Sequence, residues 1–272
     1  MPISDIVLLI FSGAISGFLA GLLGIGGGMI LVPIMIIVFN HIGFNQAVIV
    51  HMAIASSMAT IIFTTSSAIW AHHKHSYVDW KLIAALGPGI VIGSLIGGSE
   101  IFDALNTSWL SLCFGIFILY ASARMFLNKQ PKPERNLPGV LGLTCFGTFA
   151  GCLASLVGAG GAFITVPFML WCNVKPHTAM ATSSGLGFPV AVAATIGYMY
   201  GSWGNTTLPS GSLGYVYLPA VMCIVIVSIF TAPLGAKMSR KLPIAHLKRV
   251  FGVLLFFIAT FMFNESRKAF GI

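Results

Sequence analysis

Long apolar stretches separated by short polar segments run along the whole chain. Five of them contain almost no charged residue: 82–98, 109–127, 178–200, 213–236 and 250–263. A further unbroken apolar run covers 6–39. Because a helix needs about 20 apolar residues to cross the hydrocarbon core of a bilayer, these lengths predict an all-α polytopic membrane protein with about 8–10 membrane segments.

The first apolar run is too long for one straight crossing. A helix over 6–39 would measure about 50 Å at 1.5 Å per residue, whereas the hydrocarbon core is about 30 Å thick. Consecutive glycines at 24–28 mark the place where the run must bend, because a residue without a Cβ lets the backbone turn sharply. The pieces would form either a re-entrant hairpin or two short crossings.

The chain contains an internal repeat. Gly17-Phe-Leu-Ala-Gly-Leu-Leu-Gly24-Ile-Gly-Gly-Gly28 is followed by a helix that begins Met-Ile-Leu-Val-Pro. Gly151-Cys-Leu-Ala-Ser-Leu-Val-Gly158-Ala-Gly-Gly-Ala, followed by Phe-Ile-Thr-Val-Pro, matches it in the second half. Repeats of this kind indicate duplicated structural units. We therefore divide the chain into a first transmembrane repeat, a polar cytoplasmic linker and a second transmembrane repeat: 1–128, 129–136 and 137–272.

Loop charges indicate how the two repeats are oriented. Lys and Arg concentrate in 72–81, in the linker and in 237–249, whereas 99–108 and 201–212 contain no basic residue. An odd number of crossings in each half brings all three basic segments to the cytoplasmic side, as the positive-inside rule requires. An even number would export 237–249. The charges therefore favour two inverted repeats, an arrangement common in secondary transporters.

Composition narrows the class further. The chain is 57% hydrophobic and only 7% charged, with a net charge of +8. We expect an inner-membrane protein whose solvent is the lipid bilayer, and no nucleic-acid binding, because no basic motif or face is visible. The five cysteines lie in or beside apolar segments without a CxxC pair. They read as packing residues, and no metal site or cofactor is expected.

The two glycine clusters are the best candidates for a substrate-binding site. Each cluster opens a helix, and a helix N-terminus presents unpaired N–H groups and a positive dipole end that favour an anion. Hydroxyls at matching places in both halves could donate to the same ligand, or could bond to helix backbone instead. Gly13, Gly17 and Gly21 fit close helix packing. The predicted substrate-binding residues are Gly26, Gly27, Gly28, Ser56, Ser57, Thr60, Gly160, Gly161, Thr182, Ser183 and Ser184.

Two histidines match across the repeat, His51 and His177. Each lies near the start of an apolar segment, and histidine titrates near neutral pH, so both are candidates for proton coupling. The alternative is an ordinary residue at a helix end. The run His72-His73-Lys74-His75 is more typical of a solvated basic turn than of a metal site.

Enzymatic motifs are absent from the sequence. It contains no Walker A sequence, no HExxH and no GxSxG, and no carboxylate lies within an apolar segment. The sequence therefore predicts neither an enzyme nor a pump driven directly by ATP.

The duplicated motif resembles that of the TauE/SafE family of membrane transporters, often called sulfite exporters. The residues that carry the resemblance are the glycine clusters with Val32-Pro33 and Val166-Pro167, and the pairs Ser56-Ser57 and Thr182-Ser183. The resemblance implies transport of a small sulfur-containing anion such as sulfite, sulfoacetate or another organosulfonate.

We thus expect a secondary transporter that exports such an anion by alternating access, with a homodimer as an open option. Two alternatives remain at this point. One is a passive anion channel. The other is a membrane-embedded accessory protein that relays sulfur through Cys152 or Cys172.

Overall fold

A computed structural model describes residues 1–24, 27–73, 78–127, 135–203, 208–238 and 244–270. The expected linker lies almost entirely outside them, as do Gly26 and the side chains of the histidine-rich turn at 72–75. The elements of the first half are α1 Ile3–Leu23, α2 Gly28–Ile42, α3 Ile49–His73, α4 Trp80–Ile96, a π-helical turn Gly97–Ile101, α5 Phe102–Ala104 and α6 Thr107–Leu127.

The second half repeats the order of the longer helices and adds one element, and its described residues contain no counterpart of the π-helical turn or of α5. A short antiparallel β-hairpin, which the sequence did not predict, precedes its third long helix. The elements are α7 Val140–Val157, α8 Ala162–Trp171, α9 Pro176–Gly201, β1 Ser212–Leu213, β2 Val216–Tyr217, α10 Leu218–Met238 and α11 Ile244–Phe270.

Eight helices in the described part of the chain are long and apolar enough to cross a membrane. α2 and α8 are apolar but shorter, with 15 and 10 residues. The spans of α3 and α9 are 83% and 72% buried, against at most 44% for the others. These two helices are therefore central, and the outer ones expose large apolar side chains such as Phe11 and Phe230. The prediction of an all-α, multi-pass membrane protein is confirmed.

Glycines end one helix and begin the next in both halves, as predicted. α1 ends at Gly24 with φ 72°, and α2 follows Gly27 with φ 77°. α7 ends at Gly158 with φ 64°, and α8 follows Gly161 with φ 74°. Left-handed backbone costs a residue with a Cβ roughly 1–2 kcal/mol, so glycine is the residue that makes these turns inexpensive.

α1 and α2 form a helical hairpin. The Asp5 carboxylate at the start of α1 lies 3.0 Å from His41 Nδ1 at the end of α2. A Cβ on Gly27 would approach the Ser16 carbonyl oxygen to 2.8 Å, so α2 begins beside the middle of α1. Since α2 is about 22 Å long at 1.5 Å per residue, it returns only part of the way across the core. The structure therefore favours the re-entrant alternative for α2.

The first helix of each half packs mainly against a helix of the other half. α1 packs mainly against α10, and α7 packs mainly against α4. At these contacts the backbones come so close that a Cβ on Gly21 would overlap the Ala232 carbonyl, and one on Gly93 would overlap the Thr148 carbonyl. Gly13 and Gly17 likewise face α10. The packing role predicted for these glycines is confirmed.

The central helices α3 and α9 run in opposite directions. The ring of Phe102 lies 5.0 Å from His51, near the start of α3, and 4.4 Å from Tyr198, near the end of α9. α3 and α9, which hold equivalent places in the two halves, are thus antiparallel, as the predicted inverted repeat requires of this pair. Inversion of the whole repeats stays a prediction. The orientation of the repeats relative to a membrane stays a prediction.

Candidate functional site

The glycine turns of the two halves meet at the centre of the molecule. Gly28, the first residue of α2, lies so close to the Gly158 carbonyl that an added Cβ would overlap it. Each turn also packs against the central helix of the other half. Gly24 faces the Met180 carbonyl on α9, and Gly158 faces Ile54 on α3. Ile54 and Met180 occupy matching positions of the repeat, so the two contacts are equivalent.

Two of the predicted hydroxyls lie at this meeting point on α3. Ser57 Oγ is 3.5 Å from the Gly158 carbonyl oxygen, at the outer limit of a hydrogen bond. Thr60 Oγ1 donates to the Ser57 carbonyl at 2.6 Å. Both side chains are fully buried. The Ser57 hydroxyl is therefore weakly engaged at the interface of the two halves, whereas the Thr60 hydroxyl bonds to its own helix.

The corresponding hydroxyl of the second half has a partner that the sequence analysis did not identify. Ser183 Oγ lies 2.7 Å from Thr165 Oγ1, and Thr165 Oγ1 also donates to the Gly161 carbonyl at 3.1 Å. Thr165 is the single polar side chain of α8, whose sequence is otherwise apolar. This isolated hydroxyl, four residues after Gly161, is the feature of the sequence from which Thr165 could have been identified as a site residue. Ser184 Oγ bonds back to the Met180 carbonyl at 3.1 Å.

Two further predicted hydroxyls contact loop backbone. Ser56 Oγ accepts from the Tyr217 N–H at 2.9 Å, and Thr182 Oγ1 accepts from the Asp79 N–H at 3.0 Å. Tyr217 precedes α10 and Asp79 precedes α4, so these are equivalent contacts in the two halves. Ser56 and Thr182 anchor the entrances of these helices.

The charge at this site comes from backbone dipoles. None of the residues in the two turns or the two hydroxyl segments is ionisable. α2 starts at Gly28 and α8 starts at Ala162, and the first N–H groups of a helix have no acceptor within that helix. Two positive helix ends therefore converge near the hydroxyls of Ser57 and Ser183, which suits a small anion. The carbonyl of Gly160 faces Gly187 of α9.

The two matching histidines differ in environment. His51 is buried, and its Nε2 donates to the Leu105 carbonyl at 2.8 Å. Its ring lies against Phe102 and stacks on Tyr215, with 5.2 Å between the ring centroids of His51 and Tyr215. Its Nδ1 is buried without a hydrogen-bond partner among the described residues. His177 is exposed at the start of α9.

Ligands for a metal ion do not cluster in the described part of the chain. No three His, Cys, Asp or Glu side chains there are grouped closely enough to hold one. Lys74 and His75 lie outside the described residues.

Comparison with known proteins identifies a single family. A model of the family described as Sulfite exporter TauE/SafE matches residues 9–262. A "Probable membrane transporter protein" of Haemophilus influenzae is 32% identical over 263 residues, which cover 95% of this chain and 98% of that protein. The "Probable sulfite/organosulfonate exporter TauE" of Cupriavidus necator is 25% identical over 209 residues, 75% of this chain and 76% of that protein. No solved structure matches the chain significantly.

Proposed function

The chain belongs to the sulfite exporter TauE/SafE family, and from that premise we propose that it exports a small sulfur-containing anion across the inner membrane. Membrane transport is the activity that the names of the relatives share. Sulfite, sulfoacetate or another organosulfonate is the proposed cargo, in agreement with the name of the Cupriavidus necator relative. The proposed activity is secondary transport rather than catalysis, and it requires no cofactor.

One observation carries this proposal: the glycine turns that precede two helix N-termini, one from each half, touch each other, and each helix start lies beside a buried hydroxyl of a central helix. N–H and O–H groups can replace the hydration of an oxyanion. A buried Arg would bind such an anion more tightly, which would slow its release. The groups proposed to contact the anion, among the described residues, are Gly27, Gly28, Ser57, Gly160, Gly161 and Ser183. The hydroxyls of Ser56, Thr60, Thr182 and Ser184 support these groups by fixing the backbone around them.

Alternating access is the proposed mechanism. The packing divides most helices into one body of α1, α2, α3 and α10 and another of α4, α7, α8 and α9, which meet mainly along α3 and α9. Each body contains helices of both repeats. Gly28 belongs to the first body and Gly158 to the second, and the two residues are in close contact. In the proposed mechanism, this contact is the one that closes the site. Movement of one body along the other would separate the two turns and expose the site.

Ligand titration of the purified protein tests the proposal. Sulfite, thiosulfate, sulfate, sulfoacetate and taurine would be titrated by calorimetry and thermal shift. We expect saturable binding of at least one sulfur anion, abolished by Gly27→Leu and weakened by Ser57→Ala. Gly27→Leu combines a φ of 77° with an approach of 2.8 Å to the Ser16 carbonyl oxygen. Its folding must therefore be checked by size-exclusion chromatography. Absence of binding by folded wild-type protein would refute the sulfur assignment.

Flux measurements separate the proposal from its two alternatives. A passive anion channel would carry current that follows the membrane voltage without coupling. A sulfur relay would lose activity when all five cysteines are replaced by Ala, whereas a transporter would keep it. Burial raises the pKa of the Cys172 thiol, and the nearby Arg135 guanidinium only opposes this effect. A raised pKa disfavours the thiolate that a relay through Cys172 needs.

His51, rather than His177, is the residue proposed for proton coupling. His51 Nδ1 is the buried nitrogen available for a second proton. The ring of Tyr215 covers His51, and the Tyr215 hydroxyl donates to Asp103 Oδ1 at 2.7 Å. A carboxylate and an aromatic face therefore lie on the same side of His51.

A further inference from the structure

A second cavity lies at the end of the molecule where α6 begins and α11 ends. Its volume is about 880 Å³, within the range of about 300–1,000 Å³ that is typical of small-molecule pockets. Residues of α2, α3, α6 and α11 line it. No described residue of the two glycine turns or of the hydroxyl segments is among them, so this cavity is distinct from the central site.

The cavity lies at the depth of lipid headgroups. α6 and α11 are each long and apolar enough to cross a membrane, so the start of α6 and the end of α11 lie at a surface of the bilayer. Trp109, in the first turn of α6, is half exposed, and its ring lies 5.6 Å from the ring of Phe270 at the end of α11. Tryptophan is enriched where a membrane meets water.

The polarity of the lining changes with depth. Lys268, Glu265 and Phe261 of α11 line the cavity and share one helix face, because they are three and four residues apart. Phe261 lies about 6 Å closer to the membrane core than Glu265, at 1.5 Å per residue. On α2, Asn40 lies near the helix end and Ile37 lies one turn deeper. The cavity therefore has a polar mouth and an apolar floor.

The mouth presents charges of both signs. Lys268 Nζ lies 2.8 Å from Glu265 Oε1, and the two side chains are 64% and 15% exposed. An ammonium has three donors, and a carboxylate has about four acceptor sites. Each group can therefore bind a further charged group while the ion pair stays intact. This arrangement suits a ligand that carries an anionic and a cationic group close together.

A primary ammonium is the cationic group that fits best. Quaternary ammonium groups are typically bound by aromatic cages, and Phe261 is the one aromatic side chain among the described residues of the lining. It belongs to the apolar floor. The mouth contains the amides of Asn40, Gln46 and Asn106 instead. Each amide oxygen has two lone pairs that can accept from an N–H group.

We infer that this cavity binds a membrane phospholipid whose headgroup carries a phosphate and a primary ammonium, as in phosphatidylethanolamine. The phosphate binds at Lys268 and the ammonium at Glu265, and the acyl chains pass Ile37 and Phe261 into the bilayer. The side chain of Ile37 is 47% exposed, so the apolar floor is open to lipid. The bound lipid bridges α2 to α6 and α11. The inference does not depend on which cargo the protein transports.

Native mass spectrometry of the delipidated full-length protein in detergent tests the inference. Dihexanoyl phosphatidylethanolamine, phosphatidylcholine and phosphatidylglycerol would be titrated separately. We expect saturable binding of phosphatidylethanolamine and about tenfold weaker binding of the other two, since neither can donate an ammonium hydrogen bond to the Glu265 carboxylate. Free phosphoethanolamine, which has the same headgroup and no acyl chain, should bind far more weakly, because each buried CH₂ contributes about fourfold in affinity.

Variants of α11 assign the binding to this cavity. Glu265→Gln should weaken phosphatidylethanolamine about tenfold and make it bind like phosphatidylcholine. Lys268→Gln should weaken all three lipids by up to about fivefold, because this side chain is exposed. Arg267→Gln is the matched control, since Arg267 neighbours Lys268 in the sequence but does not line the cavity, and it should bind like wild type. Size-exclusion chromatography verifies that each variant is folded.

Three results would overturn the inference. The first is equal affinity of wild type for the three lipids. The second is an unchanged affinity for phosphatidylethanolamine in folded Glu265→Gln. The third is binding of free phosphoethanolamine as tight as that of the lipid, which would make the ligand a soluble zwitterion.

Discussion

The contact between the two glycine turns can be tested with a single methyl group. Gly28 has ordinary helical backbone, so its replacement by Ala causes no strain in φ, and the equivalent residue of the second half is already Ala162. The effect of Gly28→Ala therefore comes from space alone. An added Cβ would overlap the Gly158 carbonyl and lie 3.0 Å from Ser57 Oγ and from Ile61 Cδ1. Because one of these neighbours is backbone, the two turns must move apart.

The magnitude follows from overpacking. Inserting a methyl group into a filled space costs about 1–3 kcal/mol. If the cost applies only to the conformation in which the turns touch, the equilibrium between conformations shifts by about 5- to 150-fold. We expect transport in proteoliposomes to fall by a factor within this range. The thermal unfolding midpoint in detergent should fall as well.

Gly87→Ala is the matched control. Gly87 lies in α4, also has ordinary backbone, and an added Cβ would meet nothing within 4 Å. Alanine favours a helix over glycine by about 1 kcal/mol, so this variant should transport normally and melt no earlier than wild type. If Gly28→Ala transports and unfolds like wild type, the turns do not form a filled contact and the proposed closure is wrong. Equal impairment of Gly87→Ala would show that the effect is not local.

Three further changes have defined outcomes. His51→Gln keeps a donor for the Leu105 carbonyl and should alter the pH dependence of transport, whereas the control His177→Gln should not. If His51→Gln and wild type have equal pH profiles, His51 takes no part in proton coupling. Ser56→Ala leaves the buried Tyr217 N–H without its acceptor. It should lower the free energy of unfolding by about 1–3 kcal/mol and leave the affinity for the anion unchanged. A loss of affinity in a variant of wild-type stability would instead make Ser56 a ligand. Asp79→Ala removes the carboxylate that accepts from two N–H groups at the start of α4. The free energy of unfolding should fall by about 1 kcal/mol, which a lower thermal unfolding midpoint would report. An unchanged midpoint would refute the capping role of Asp79.

The repeat explains why much of the site follows from the sequence. The positions of Gly24, Gly27, Gly158 and Gly161 can be recognised in the sequence, because left-handed backbone strongly favours glycine. The hydroxyl segments are equally visible, since they recur at the same place in both halves. What the pattern leaves open is the direction in which each hydroxyl points.

Neighbouring hydroxyls on one helix face different partners. Consecutive residues of an α-helix project about 100° apart, so Ser56 bonds to the backbone before α10 while Ser57 lies at the opposing glycine turn. Thr60 and Ser184 bond to their own helices. These outcomes depend on which helix packs on each face, and the partner helix is often more than 100 residues away in the chain.

The sequence by itself determined that the chain lies in a membrane, that it contains two related halves, and that glycines break its first and its equivalent second apolar run. These features depend on segment length, composition and local backbone preference. Tertiary structure alone decided that α1 pairs with α10 and α7 with α4. It also decided that Thr165 joins Ser183, and that His51 is buried while its counterpart His177 is exposed. The reason is physical. Apolar helices have no preferred partner until their surfaces, with small residues and carbonyls at particular positions, are brought together.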